Sequence, residues 1–213
     1  MSLRLEMLQV ARLARSVMGE DAASLVESFI RGQQNEDGGF RDRDGESDLY
    51  YTSFAIDALT ALQVPLPEVA LRRYLDDRLE SLDELDFVHL CCLSRCFSAL
   101  GSRPPAAVIA PVLERIERYR TADGGFNQSD DDETGSAYAC FLAYGAYADH
   151  GLTLPDAEGV ARCLDSLRTP GGAWANDVEL PIPNIPATAA AVTLSRNLRL
   201  PIPAETPHWI LNS

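Results

Sequence analysis

The residues best suited to bind a metal lie in one stretch of the chain, as His89, Cys92 and Cys96. Imidazole and thiolate are ligands that zinc prefers, and spacings of three and four place these residues on one face of a helix. Positions seven residues apart are about 10.5 Å apart along a helix axis, too far for three side chains to close on one ion. The pattern therefore favours small residues on a buried helix, while a site with two of these ligands and a distant carboxylate stays open.

The composition excludes several classes of function. The chain has 213 residues and a net charge of −14, and arginine supplies all 18 of its basic residues. Without lysine there is no Schiff-base mechanism and no Walker-type phosphate site. The acidic balance and the lack of a basic cluster predict no nucleic acid partner and no binding to an anionic membrane surface.

The five cysteines are odd in number and lie mostly in apolar helical stretches rather than in a spaced framework. We therefore expect reduced thiols in a cytoplasmic protein. No apolar run is long enough for a signal peptide or a transmembrane helix, so we also expect no membrane span.

A short turn motif occurs three times. It reads Asp-Gly-Gly-Phe at residues 37–40 and 123–126, and Gly-Gly-Ala-Trp at 171–174. The spacing indicates a repeated unit of roughly 43 residues, as in stacked helical hairpins. The chain must reverse after each outer helix, and a left-handed backbone is accessible there mainly to glycine. The aromatic residue that follows is expected to fill the gap between neighbouring hairpins.

Hydrophobic periodicity and breaker residues predict helices joined by short turns. The predicted ranges are 4–18, 21–34, 49–63, 67–80, 85–100, 105–120, 133–148, 156–168 and 186–198. Stretches that are apolar on nearly all sides, such as 49–63, are expected to be inner helices, and stretches with one apolar stripe, such as 105–120, outer helices. A fourth copy of the unit, which has lost its Gly-Gly turn, aligns Asp86 with Asp48.

The turn at 33–40 and the helix start at 47–52 resemble the repeats of the protein prenyltransferase β-subunit and squalene–hopene (terpenoid) cyclase superfamily. The resemblance runs from about residue 21 to 198. It implies an all-α fold of the α/α toroid type, here a single domain over residues 1–213 that forms a partial ring of helical hairpins. It also implies an isoprenoid or other hydrophobic ligand in a central cavity, with zinc as the cofactor of the transferases.

In those transferases an aspartate, a cysteine and a histidine bind zinc, and an arginine and a lysine hold the lipid diphosphate. Arg43 matches the arginine, Asp48 lies near the aspartate position, and His89 falls at the histidine. The cysteine position falls on Tyr50 or Tyr51, and the lysine position on an acidic residue. The resemblance thus implies Arg43 for substrate binding, Asp48 for catalysis and His89 as a metal ligand, with an incomplete set of zinc ligands.

The run Asp-Asp-Asp-Glu-Thr at 130–134 resembles the acidic motif with which class II terpene cyclases protonate an alkene. The resemblance implies Asp132 as the catalytic acid, which must be held protonated in a dry cavity. Because the run precedes an apolar helix, the alternative is that it caps that helix, and we favour capping.

Aromatic residues recur on the predicted inner helices. They are Tyr50, Tyr51, Phe54, Tyr138, Phe141, Tyr144 and Tyr147. The resemblance implies that some of them, Tyr50, Tyr51 and Tyr138 among them, line a cavity whose aromatic faces suit a prenyl chain or a carbocation. The alternative is that they pack the core, which is the commoner role of such a stripe.

The catalytic toroids of the superfamily close with more hairpins than this chain provides. An open arc exposes apolar helix edges, so we expect a homo-oligomer or a partner subunit to cover them. Two hypotheses of function follow: a prenyltransferase-like or terpene cyclase-like protein that binds an isoprenoid, or a non-catalytic α/α-repeat module that binds a protein or lipid.

Overall fold

The structure is a computed structural model that describes residues 3–100 and 104–213. Its helices are α1 (Leu3–Ala11), α2 (Leu13–Met18), α3 (Glu20–Arg31), α4 (Leu49–Ala61), α5 (Glu68–Glu80), α6 (Phe87–Ala99), α7 (Ala106–Glu117), α8 (Ala137–Ala148), α9 (Ala157–Ser166), α10 (Ile185–Leu198) and α11 (Thr206–Leu211). A short antiparallel pair, β1 (Phe40–Arg41) and β2 (Ser47–Asp48), precedes α4. The prediction of an all-α fold is confirmed. Within the residues described, every helix is too short or too polar to cross a membrane.

Three features of the helices differ from the prediction. Residues 4–18 form two helices, because Arg12 belongs to neither α1 nor α2. Helix α8 starts only at Ala137, since the carboxylate of Asp123 accepts the amide of Gly135 and holds the preceding residues in a turn. Helix α11 lies outside the predicted ranges, because six residues are too few to show helical periodicity.

The chain divides into two compact units. One comprises residues up to Arg115 together with Ala148–Leu152, and the other Ile116–Tyr147 together with Thr153–Ser213. In the first unit α4 and α6 pack side by side, and the fully buried side chains include Ile56, Leu59, Leu71, Leu75, Leu90, Leu93 and Phe97. In the second unit they include Ala143, Val160, Leu164, Ala191 and Leu194. A single domain over residues 1–213 stays a prediction.

The three turns of the repeat share the same backbone hydrogen bonds. In the first, the amide of Asn35 donates to the carbonyl of Gly39 at 2.9 Å, and the amide of Gly38 donates to the carbonyl of Asn35 at 3.0 Å. In the second turn the amide of Thr121 donates to the carbonyl of Gly125, and the amide of Gly124 to the carbonyl of Thr121. In the third turn the amide of Thr169 donates to the carbonyl of Ala173, and the amide of Gly172 to the carbonyl of Thr169. These bonds place Gly172 at the position of Gly38 and Ala173 at the position of Gly39, in agreement with the alignment of residues 171–174 with 37–40.

In the first two turns the first glycine is required by the backbone conformation. Gly38 has φ 103° and Gly124 has φ 91°, values in the left-handed region that side chains rarely adopt. A Cβ on Gly38 would collide with the carbonyl of Ala70 in the first turn of α5, and a Cβ on Gly124 with the backbone of Gly159 in α9. Each turn therefore packs directly on the start of a later outer helix.

The aromatic residue after each turn is buried, as predicted, and its amide is bonded to the helix that follows. The amide of Phe40 donates to the hydroxyl of Thr52 at 2.9 Å, in α4. In the second turn the amide of Phe126 donates to the sulfur of Cys140 at 3.3 Å, and in the third the amide of Trp174 donates to the hydroxyl of Thr188 at 3.1 Å. One buried polar side chain thus fixes each turn to its inner helix.

The inner helices begin with side-chain caps. The amides of Tyr51, His89, Ala139 and Ala187 donate to Asp48, Asp86, Ser136 and Asn184 respectively. Asp86 caps α6 as Asp48 caps α4, which agrees with their alignment, and the fourth copy of the unit stays a prediction. Capping of α8 by the run 130–134 was a wrong prediction, because Ser136 and the Asn176 side chain accept the first amides of that helix.

Candidate binding site at the start of helices α4 and α6

The structure brings together two of the residues predicted from the sequence, Asp48 and His89, and adds Asp86 to them. Nε2 of His89 lies 2.8 Å from Oδ2 of Asp48, and Nδ1 lies 2.8 Å from Oδ1 of Asp86. Each carboxylate also caps a helix, since Asp48 accepts the amide of Tyr51 at 3.0 Å and Asp86 accepts the amide of His89 at 2.9 Å. A single imidazole therefore connects the first turns of α4 and α6.

This arrangement favours the protonated imidazole of His89. A neutral ring has one donor nitrogen, whereas both nitrogens here face a carboxylate oxygen. Burial lowers the pKa of His89, but the hydrogen bonds to Asp48 and Asp86 raise it by more, so that it lies above its ordinary value. The cluster is best described as an imidazolium between two carboxylates.

The same geometry limits what His89 can do chemically. An imidazolium that donates from both nitrogens has no lone pair for a substrate proton or for a metal. The nearby thiol of Cys92 is buried, contacts the hydroxyl of Ser53 at 3.8 Å, and has its pKa raised to about 11 by burial. Among the residues described, no three His, Cys, Asp or Glu side chains are grouped to hold a metal ion. The residues present therefore do not fit the zinc site that the resemblance implies.

Three aromatic side chains project from the first turns of α4, directly after Asp48. Tyr50, Tyr51 and Phe54 are 39%, 36% and 55% exposed. The rings of Tyr50 and Phe54 meet edge to face at 4.7 Å between centroids, and those of Tyr50 and Tyr51 at 6.0 Å. We call these three residues the aromatic cluster. Core packing therefore does not account for the exposed parts of these rings.

Tyr138 occupies in the second unit the position that Tyr50 occupies in the first, as the second residue of its inner helix. Its ring stacks on that of Phe141, with centroids 6.1 Å apart and an angle of 28° between the planes. Tyr138 is only half-buried, so the repeat places an accessible ring at the start of both α4 and α8.

Arg43 lies at the tip of the loop between β1 and β2. The carboxylate of Asp42 accepts the amides of Asp44, Gly45 and Glu46 and so fixes the shape of this loop. The guanidinium of Arg43 is exposed and forms no ion pair within residues 3–100 and 104–213. It remains available to an anionic group, although acidic side chains flank it on both sides.

Asp132 lies in the second unit, exposed in an open groove of about 570 Å³. The groove is lined largely by acidic and amide side chains, among them Asp131, Glu133, Asp177 and Glu179. An acid that protonates an alkene has to be held in a dry cavity, and this groove is open to water. The role of Asp132 as a catalytic acid stays a prediction.

Sequence reasoning missed Asp86 as a member of the cluster, although its alignment with Asp48 was a usable signal. It also missed Asp57, whose carboxylate is bonded to two partly or fully buried guanidinium groups, Arg4 at 2.7 Å and Arg95 at 2.6 Å. No spacing rule indicates this second group, because the three residues come from α1, α4 and α6.

Comparison with known proteins does not assign the chain to a family. No protein-family model matches it, and no curated protein is significantly similar to it. The function has therefore to be inferred from the geometry described above.

Proposed function

We propose that this protein is a helical-hairpin module of the prenyltransferase and terpenoid cyclase type that binds an isoprenoid chain on the aromatic cluster. The observation that carries the proposal is the exposure and mutual contact of Tyr50, Tyr51 and Phe54. Edge-to-face rings at this spacing present an apolar surface with a defined shape, which suits a branched, unsaturated hydrocarbon. The toroid arrangement of the hairpins is part of this proposal, and the recurrence of the same turn in both units supports it.

The proposed role is binding without transfer of the ligand. Zinc-dependent transfer needs a thiolate and a free imidazole, whereas both nitrogens of His89 face carboxylates and Cys92 is held as a thiol. A helix start can also bind a phosphate through its free amides. In α4 and α6 the capping carboxylates of Asp48 and Asp86 already accept amides there and place negative charge at the helix starts.

These features favour an uncharged prenyl group over a prenyl diphosphate. Arg43 is the cation that the resemblance assigns to the diphosphate, but Asp42, Asp44 and Glu46 lie in the same loop. The net charge of −14 adds a general repulsion of anions. A prenyl alcohol, or an uncharged prenyl group attached to another molecule, is repelled neither by the acidic residues of this loop nor by the net charge of the chain.

Isothermal titration with farnesol and with farnesyl diphosphate tests this function. Farnesol should bind saturably, and Phe54→Ala should weaken binding by about tenfold, since one exposed ring contributes on the order of 1.5 kcal/mol. Phe29→Ala, which removes a ring of comparable exposure from α3 (66% against 55% for Phe54), is the matched control and should leave the affinity unchanged.

Two results would overturn the proposal. If neither ligand binds saturably, the aromatic cluster does not recognise isoprenoids, and a protein partner becomes the better candidate. If the diphosphate binds much more tightly than farnesol and the difference disappears in Arg43→Ala, the site handles a transferase substrate instead.

A further inference from the structure

Helices α2 and α3 bury almost none of their side chains, which is unusual for helices of a folded protein. No residue of α2 is buried, and in α3 only Ala23 is, although every residue of both helices is described. Helices of six and twelve residues are not stable in water without tertiary packing of an apolar face. Hydrogen bonds attach these helices to the segment after α4. Arg15 donates to the carbonyl of Leu62 at 2.7 Å, and Arg31 donates to the carbonyl of Pro65 at 2.8 Å.

Several apolar side chains of this region are exposed. Five of them, on α1, α2 and α3, are more than three-fifths exposed: Val10 at 72%, Leu13 at 64%, Val17 at 84%, Leu25 at 73% and Phe29 at 66%. The helices that carry them contact one another, α1 with α2 and α2 with α3, and we call these five residues the α2–α3 face. They expose on the order of 600 Å² of apolar surface, close to the ~800 Å² that each partner buries in an interface of standard size.

The charges around this face balance, although the chain as a whole is strongly acidic. Residues 10–31 contain three arginines and three acidic residues, so the whole net charge of −14 lies elsewhere. Two of the pairs close locally, Arg15 with Glu20 at 2.8 Å and Arg31 with Glu27 at 2.7 Å. Within the ranges 3–100 and 104–213, Arg12 and Asp21 form no ion pair. One cation and one anion are thus left at the edge of an apolar surface.

We propose that the α2–α3 face binds a second copy of this chain in a two-fold symmetric dimer. In an isologous interface the same patch meets itself, and a locally neutral surface allows this without the repulsion expected between two acidic chains. In this dimer α2 of one copy packs against α3 of the other. The five apolar side chains of each copy are then covered by the other copy. It also pairs Arg12 of each copy with Asp21 of the other, so that one interface contains two such ion pairs. This dimer is independent of the proposed ligand.

Sedimentation equilibrium of the purified protein measures the dimer directly. The wild type should be dimeric at micromolar concentration, and Phe29→Glu should raise the dissociation constant by about 30-fold or more, as expected when a central apolar contact is replaced by a charge. Val69→Glu is the matched control, because Val69 is 89% exposed on α5 and lies outside the face. Circular dichroism checks that both variants remain folded.

Exchanging the charges of Arg12 and Asp21 tests how the two copies are oriented in the dimer. Arg12→Glu should weaken the dimer by about tenfold, because two ion pairs are replaced by repulsion. The double variant Arg12→Glu with Asp21→Arg restores both pairs and should recover most of the affinity. A wild-type protein that is monomeric at all concentrations, a dimer that survives Phe29→Glu, or a charge exchange without recovery would overturn the proposed interface.

Discussion

Nε2 of His89 in α6 lies 2.8 Å from Oδ2 of Asp48, the residue that caps α4, across a separation of 41 residues in the chain. The imidazole thereby joins the starts of two helices whose caps are equivalent positions of successive repeats. The resemblance places Asp48 near the zinc-binding aspartate of the transferases and His89 at their zinc-binding histidine. Here the two ring nitrogens of His89 face the carboxylates of Asp48 and Asp86.

We expect the stabilising contribution of His89 to decrease as the pH rises. Its pKa is about 6.5 in an unfolded chain, and in the folded protein burial lowers it by less than the bonds to Asp48 and Asp86 raise it. The contribution is therefore complete below the unfolded pKa and is lost as the pH rises through the higher folded pKa. Urea unfolding of the wild type and His89→Gln should differ more at about pH 6 than at about pH 9.

The variant Asp86→Asn provides the control for this pH dependence. The amide oxygen of asparagine still caps α6, but the charge that stabilises the imidazolium is removed. The pKa of His89, followed by NMR, should be lower in this variant than in the wild type. If wild type and His89→Gln differ equally in free energy of unfolding at both pH values, the pKa of His89 is not raised by folding.

Replacing Gly38 by alanine should be among the most damaging small changes in the first unit. The new Cβ meets the carbonyl of Ala70 in α5, so the turn or the helix must move in addition to the strain of a positive φ. We expect a loss of about 3 kcal/mol or more in the free energy of unfolding. Chemical denaturation measures it.

Gly45→Ala is the matched control for Gly38→Ala. Gly45 has φ 97°, close to the 103° of Gly38, but a Cβ added to Gly45 would have no atom of the described residues within 4 Å beyond its chain neighbours. Only the backbone strain applies there, at about 1 kcal/mol. Equal losses in the two variants would mean that the contact between the turn and α5 contributes nothing.

Asp57→Asn should destabilise the first unit by about 3 kcal/mol or more, because it removes the charge of the carboxylate to which both guanidinium groups are bonded in a largely buried position. The side chain of Arg4 is only 6% exposed and that of Asp57 17% exposed. Arg4 also attaches α1 to α4, so proteolysis of α1 should become faster in the variant. Asp83→Asn, which removes a carboxylate paired with Arg115 at the surface, should change the free energy of unfolding by less than about 1 kcal/mol.

What the sequence could predict depends on how local each interaction is. The turns around Gly38 and Gly124 were predictable, because a positive φ and a following aromatic residue leave a pattern within four positions. The third turn was also aligned correctly, because Trp174 at the place of Phe40 puts Gly172 at the place of Gly38, and the hydrogen bond from Gly172 to Thr169 agrees with this.

The candidate site could be predicted only in part. Asp48 and His89 were found through a resemblance, but the orientation of the imidazole depends on two carboxylates that approach it from different helices. Whether an aromatic side chain is exposed also depends on neighbours distant in the chain. For this reason Phe54 and Phe97, both in predicted inner helices, could not be distinguished from the sequence, although one is exposed and the other is buried.

The bond from the amide of Phe40 to the hydroxyl of Thr52 should contribute measurably to stability, because both groups are buried and the amide has no other acceptor among the bonds that hold the turn. Thr52→Val keeps the shape of the side chain and removes the acceptor, which leaves a buried amide unsatisfied at a cost of about 1–3 kcal/mol. Thr188→Val should have a similar effect through Trp174 in the second unit. Thr193→Val, at a more accessible position of α10, should change the free energy of unfolding by less than about 0.5 kcal/mol. If Thr52→Val were as harmless as Thr193→Val in urea unfolding, the turn would be held by the packing of Phe40 alone.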